Sequence, residues 1–225
     1  CAYYFFLHFT LVCTFSSIKE LPVINSNSTR KLPLSLKKHF QQVLPFTKEE
    51  LNAVDKYFIE CIFKKKAMLL EAPDPCKYLF FIAKGCVRHF HTKDDGNEKT
   101  CDISLENQWT TSFMSFNSGS ASNLSLQALE ETIVYRISKE DLFSLYAEHH
   151  NFETFGRLMT EQILQRATDT AMYLAADKPE ERFEHLLHSR PELFQRVPQK
   201  YIANLLGISP ESFSRLLKRM HSKKS

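Results

Sequence analysis

The run from Gln199 to Arg219 admits very few folded forms. Apolar residues at Ile202, Ala203, Leu205 and Leu206 lead to Gly207, a residue that tolerates the positive φ of a sharp turn. Ser209 stands where an N-cap belongs. Pro210 follows at the first helical position, where a missing N–H costs nothing. In the second helix Phe213, Leu216 and Leu217 share one face, and Ser212, Arg215, Lys218 and Arg219 share the other. Two amphipathic helices joined by a glycine turn make a helix-turn-helix, the pattern whose second helix enters the DNA major groove. Charge agrees with that reading. Between Gln195 and Ser225 seven Lys/Arg face a single acid, Glu211, a local net charge of +6. The whole chain carries +3, which leaves −3 for residues 1–194, so a basic end sits on a mildly acidic body.

Composition narrows the remainder. The 225 residues suit one large domain or two smaller ones, and 43% hydrophobic with 24% charged is ordinary for a chain that buries a core. Five glycines and the lack of GxGxxG or GxxxxGK[ST] remove the main support for a Rossmann or P-loop site. The cysteines at 1, 13, 61, 76, 86 and 101 form no CxxC pair, so free thiols are expected, with no metal and no cofactor. No nucleophile elbow, metal box or triad order stands out, and His149 and His150 read as a polar helix edge, so a non-enzymatic protein is expected. Ala2 to Phe15 is apolar and aromatic, yet short for a membrane span and without a basic n-region. Residues 1–33 are expected to be a leader or disordered extension, with a genuine anchor as the alternative.

The body changes period twice. Residues 34–66 read as helical, with Leu36, Phe40, Val43 and Leu44 on one face and a capping box at Thr47–Glu50 ahead of Leu51, Val54, Tyr57 and Phe58. From Ala67 short β-rich runs alternate with turns: Met68–Leu70, Tyr78–Ala83, Cys86–His91, a hairpin turn at Asp94–Gly96, Lys99–Ser104, Leu124–Leu129 and Thr132–Ile137. Strands at such spacing suggest an antiparallel roll. Ser138–Asp141 caps a short helix over Leu142–His149. A long helix over Asn151–Ala176 carries Phe152, Phe155, Met159, Ile163, Ala167, Ala171 and Leu174 in one stripe, which a partner subunit or the chain's own roll must cover. Pro179 ends that helix, and Phe183, Leu186 and Leu187 begin the C-terminal unit.

The order is α+β: an N-terminal antiparallel jelly-roll sensor over 34–150, a dimerisation helix and hinge over 151–178, and a winged-helix-type helix-turn-helix over 179–225. It resembles the CRP/FNR family of bacterial transcription regulators, most of all those common in Bacteroidetes-type bacteria. The residues that carry the resemblance are Tyr78–Arg88, Leu126–Glu130, Pro179–Arg182 and Val197–Arg219. The resemblance implies a cytoplasmic homodimer on a palindromic double-stranded DNA operator. It implies a recognition helix over Pro210–Met220, with Glu211, Ser212 and Arg215 reading bases and Gln199, Lys200, Ser209 and Lys218 touching phosphate. Pro210 stands where many relatives place an Arg, so that contact is missing. RNA polymerase is a further candidate partner, and no membrane partner is expected.

The sensor departs from the family pattern. Cyclic-nucleotide binders of the family hold the phosphate with an Arg and the ribose with a Glu after a Gly. The matching stretch here, Asn107–Asn123, contains neither. Cyclic AMP is therefore not expected to bind in the family mode, because a buried phosphate needs a cationic partner. Trp109, Phe113, Phe116, Ser118 and Ser122 are candidates for an altered effector pocket, with a closed, packed roll as the alternative; the effector is unknown. The competing reading of the whole chain is a ligand-binding or protein-interaction roll whose terminal helices only pack.

Overall fold

The computed structural model describes residues 34–176 and 178–222, so the expectations for residues 1–33 lie outside the described residues. Two helices open it, α1 (Leu34–Val43) and α2 (Lys48–Tyr57). The second starts on the expected capping box: Glu50 N donates to Thr47 Oγ1 at 3.2 Å, and Thr47 N donates back to Glu50 Oε2 at 2.7 Å.

Helix stops there, and the expectation of helix as far as residue 66 is corrected. Ile59–Phe63 is strand β1, paired antiparallel with β8 (Thr132–Ser138) from Ile59 opposite Arg136 to Phe63 opposite Thr132. Five residues cannot separate a period of 2 from one of 3.6, and only the partner strand decides. The other strands are β2 (Met68–Leu70), β3 (Tyr78–Lys84), β4 (Val87–Thr92), β5 (Glu98–Ser104), β6 (Trp109–Thr110) and β7 (Ser125–Ala128). They form two four-stranded antiparallel sheets, ordered β1-β8-β3-β6 and β2-β7-β4-β5. The short β6 and the helix α3 (Phe113–Ser118) fall where the sequence carried no clear period.

Gly85 makes the corner between β3 and β4. Its φ is +104°, and a Cβ there would lie 2.5 Å from Thr132 Oγ1 and 2.7 Å from the Thr132 Cα. Only glycine lets the corner press onto β8.

Side-chain alternation along β3 builds two cores at once. Phe80 and Ile82 point into the roll with Phe63, Val87, Leu126 and Val134. Phe81 points the other way, onto α1, α2, α4 (Lys139–Glu148) and the start of α5 (His150–Ala176), where Phe40, Phe46, Phe152 and Phe155 form an aromatic cluster. The long helical stripe is thus divided. Phe152 and Phe155 are buried on the chain's own roll, whereas Ala167, Ala171, Leu164 and Met172 are exposed.

After α5 come α6 (Pro179–Ser189), α7 (Glu192–Arg196), α8 (Gln199–Leu205) and α9 (Pro210–Ser222). The short α7 replaces the connector expected at 191–198. The helices of the winged-helix expectation are present, and no strand occurs among the described residues of this unit. Phe183, Leu193, Ile202, Phe213 and Leu216 close its core. That core also takes in Cys86, Ile103, Leu105 and Leu129 of the roll, so the C-terminal unit is seated on the β4–β5 side.

Candidate functional site

The turn between α8 and α9 forms as its residues dictate. Gly207 has φ +72°, and Ser212 N donates to Ser209 Oγ at 3.2 Å, which caps α9. Phe213 and Leu216, each 1% exposed, hold the helix down. Glu211, Ser214, Arg215, Lys218 and Arg219 remain exposed on the opposite face. Arg215 Nη2 reaches the Ser212 hydroxyl at 3.5 Å, and Arg219 is engaged by Glu180 at 2.6 Å. The Glu211 carboxyl is held below its ordinary pKa by hydrogen bonding at the helix start, its own backbone N–H and Ser209, so it is ionised at neutral pH. Gln199 and Lys200 are exposed at the start of α8, and the Lys200 ammonium lies 4.7 Å from the centroid of the Tyr201 ring. The proposed base and phosphate residues are therefore exposed, except Ser212, which is half-buried, and the hydroxyls of Ser209 and Ser212 also serve the cap.

The second feature is a partly open cavity of about 510 Å³ lined by the roll, α1, α3, α4 and the first turns of α5. Of the five pocket candidates, Trp109, Phe113 and Phe116 line it, while Ser118 and Ser122 do not. The serine-rich segment is occupied with itself. Ser115 Oγ accepts from Cys76 N at 2.8 Å and donates to Ser120 O, and Ser122 Oγ donates to Leu124 O at 2.7 Å. Ser118 Oγ donates to Met114 O at 2.7 Å. Residues that sequence reasoning missed lie on other elements: His89, Asp102 and Ser104 from β4 and β5, and Glu153, Arg157 and Thr160 from α5. The signal of the strand residues was faint, a polar residue on an inward-facing position, legible only once the register of β4 against β5 is known.

A polar seam joins the two features. Arg190 Nη1 pairs with Asp102 Oδ1 at 3.1 Å, and its other nitrogen donates to Ile103 O. Arg196 grips Glu106 through both oxygens, each at 2.8 Å, and also reaches Glu130. Burial opposes the charge on Glu106, but the Arg196 guanidinium and the Gly85 N–H outweigh it and hold the carboxyl below its ordinary pKa. Asn204, on α8, accepts from Thr100 N and donates to Glu98 O at 3.1 Å, so its amide pairs with the open edge of β5 as a neighbouring strand would. Arg88, 1% exposed, lies between the Phe90 and Tyr201 rings at 3.9 and 4.2 Å and pairs with Glu98 at 2.7 Å.

A double-sheet antiparallel roll, a long helix and a C-terminal helix pair with a glycine turn define the architecture of the CRP/FNR-type regulators, and this chain has that fold. Residues 60–149 match the cyclic nucleotide-binding domain family. Among solved structures, FixK2 from Bradyrhizobium japonicum is similar at 20% identity and TM-score 0.63, over 74% of this chain and 86% of that one. A transcriptional regulator assigned to the CRP/FNR family from Eubacterium rectale is similar at 14% identity and TM-score 0.64, over 83% and 88%. The c-di-GMP responsive global regulator CLP of Xanthomonas campestris is similar at 20% identity and TM-score 0.61, over 79% and 93%. No curated protein matches the sequence. No helix among the described residues is long and apolar enough to cross a membrane, and no group of three or more His, Cys, Asp or Glu among them could hold a metal ion.

Proposed function

We propose that this protein is a sequence-specific, DNA-binding transcription regulator that acts as a homodimer in the cytoplasm. The observation that carries the proposal is α9: a capped helix with its apolar face buried and Arg215 and Lys218 exposed on the other. Arg215 is the base reader, donating to guanine O6 and N7, with Glu211 and Ser212 beside it. Gln199, Lys200, Ser209 and Lys218 set the register on phosphate. Support for the dimer comes from the distal half of α5, where Leu164 and Met172 are 65% and 67% exposed on a 27-residue helix. Two copies joined along α5 present two recognition helices to the two halves of a palindrome. RNA polymerase is a further partner in this reading.

In this proposal the roll does not take cyclic AMP in the family mode. Between Asn107 and Asn123 there is no arginine or lysine for a phosphate, and the hydroxyls of Ser115, Ser118 and Ser122 bond to the protein's own backbone, at Cys76, Met114 and Leu124. The seating of α8 on β5 favours a second reading, in which the C-terminal helices serve only to pack against the roll. That seating uses α8 and leaves the polar face of α9 uncovered.

Footprinting separates the two readings. A regulator protects a palindrome whose half-sites lie about one helical turn apart. Arg215→Ala then relaxes one position per half-site by about 1–3 kcal/mol. Sequence-blind binding, or no change with Arg215→Ala, rejects the recognition-helix proposal. Calorimetry against cyclic AMP tests the other half, and a micromolar isotherm rejects it.

A further inference from the structure

We infer that the cavity beneath α5 binds an uncharged, largely aromatic or aliphatic small molecule that carries one hydrogen-bonding group. The inference rests on reading the roll as a sensor, and it names the chemistry of what is sensed.

Size comes first. A volume of about 510 Å³ lies within the range of pockets that enclose small molecules. The walls are apolar: the Trp109, Phe116 and Phe155 rings and Leu142 surround the space. One polar patch interrupts them. His89 Nε2 lies 2.7 Å from Thr110 Oγ1 and 3.1 Å from Ser104 Oγ, and the three residues are 9%, 2% and 1% exposed. A ring nitrogen offers either one N–H or one lone pair, whereas two hydroxyls reach for it. Hydroxyl capacity is therefore left over on a buried patch that borders the cavity, and a polar group of a bound molecule can use it.

Charge excludes the obvious alternative. The charged side chains on the lining are Asp102, Glu153 and Arg157. Each has an ion-pair partner: Asp102 with Arg190, Glu153 with His150 at 3.2 Å, and Arg157 with Glu161 at 2.6 Å, the last two pairs being exposed along α5. Among the described lining residues Arg157 is the one arginine or lysine, and it lies on exposed α5 paired with Glu161, so an anion held at the buried His89–Ser104–Thr110 patch forfeits its hydration with no arginine or lysine of the patch to offset it. A neutral molecule forfeits little, and its apolar surface is removed from water.

Trp109 is the chain's single tryptophan and lies on the cavity wall, so it reports occupancy directly. The probe is N-phenyl-1-naphthylamine, an uncharged arylamine with one N–H, titrated into the full chain while Trp109 emission is read. The expected result is saturable energy transfer at one site per chain, unchanged by excess cyclic AMP. Thr111→Phe, which places a ring at the lining, is expected to weaken the probe at least tenfold. Thr110→Val keeps the shape and removes one hydroxyl, and is expected to weaken it about fivefold. Absence of saturable transfer, displacement by cyclic AMP, or full affinity in Thr111→Phe overturns the inference; full affinity in Thr110→Val overturns the assigned polar patch. If Thr111→Phe does not fold, the wild-type and Thr110→Val titrations decide alone. DNA binding plays no part in this readout, so failure of the regulator reading and failure of the cavity assignment are seen separately.

Discussion

Asp102 lies on the cavity wall and pairs with Arg190 at 3.1 Å, so one carboxylate touches both the sensor space and the C-terminal helices. Arg190 is 18% exposed and also donates to Ile103 O, which makes it the tie closest to the cavity. Arg190→Ala is expected to cost roughly 1–2 kcal/mol at the seam, since it strips a charge-assisted contact from a half-buried carboxylate. Amide exchange should rise in α8 while the interior strands β3 and β8 stay protected. Uniform loosening of the roll would contradict the seam as a separate unit.

Arg88 and Tyr201 give a second handle on the same interface. The Arg88 guanidinium is buried under the Tyr201 ring, and Tyr201 belongs to α8. A double-mutant cycle with Arg88→Met and Tyr201→Leu should yield a coupling of about 1 kcal/mol, the size expected for a desolvated cation–π contact. Arg88→Met by itself should cost more than Tyr201→Leu, because it also removes the hydrogen bonds to Glu98 and Gln127. Additive effects would mean that the ring only covers the charge.

His39 makes stability depend on pH. Burial holds its imidazole below the ordinary value of 6.5. Trp109 Nε1 donates to His39 Nε2 at 3.2 Å, which requires a lone pair on that nitrogen. The unfolded chain takes up this proton first, so the contribution is full above about pH 6.5 and is lost as pH falls toward the lower folded value. Urea midpoints between about pH 5 and 7.5 should fall on acidification, and less so in His39→Gln. Trp109 emission should change over the same window. Equal pH slopes for both proteins would exclude His39 as the source.

Gly85→Ala tests the corner of the roll. A Cβ at φ +104° meets the Thr132 backbone at 2.7 Å and Glu131 O at 2.8 Å. Neither neighbour is a flexible side-chain end, so the expected loss is about 2–4 kcal/mol, read as a lower urea midpoint. Gly96→Ala is the control: its φ is +79° but nothing lies within 4 Å, so its cost should be the smaller.

Much of the architecture is written in local chemistry. The Thr47–Glu50 box, the Ser138 cap, the glycine at 207 and the proline at 179 act over one turn of chain, and each forms as its residues predict. The exposed face of α9 was legible for the same reason: an amphipathic period states which side is buried without naming what buries it. Where local signal was short, it misled. Ile59–Phe63 carried no period long enough to separate strand from helix, and the pairing with β8 decided it.

The rest depended on contacts far apart in the chain. His89, Ser104 and Thr110 come together only when β4, β5 and β6 fold into one roll. Asp102 and Arg190, far apart in the chain, are neighbours only in the folded protein, where Asn204 of α8 also pairs with the β5 edge. By itself the sequence determined the longer strands of the roll, the capped helices, the turn before α9 and the charge that α9 presents, but not β1, β6, α3 or α7, because capping, glycine tolerance and helical period are properties of adjacent residues and short segments carry too few of them. Only the tertiary structure decided which stretch of the α5 stripe is buried on its own roll, where the cavity lies and which carboxylate links it to the C-terminal helices, because these follow from burial and strand register.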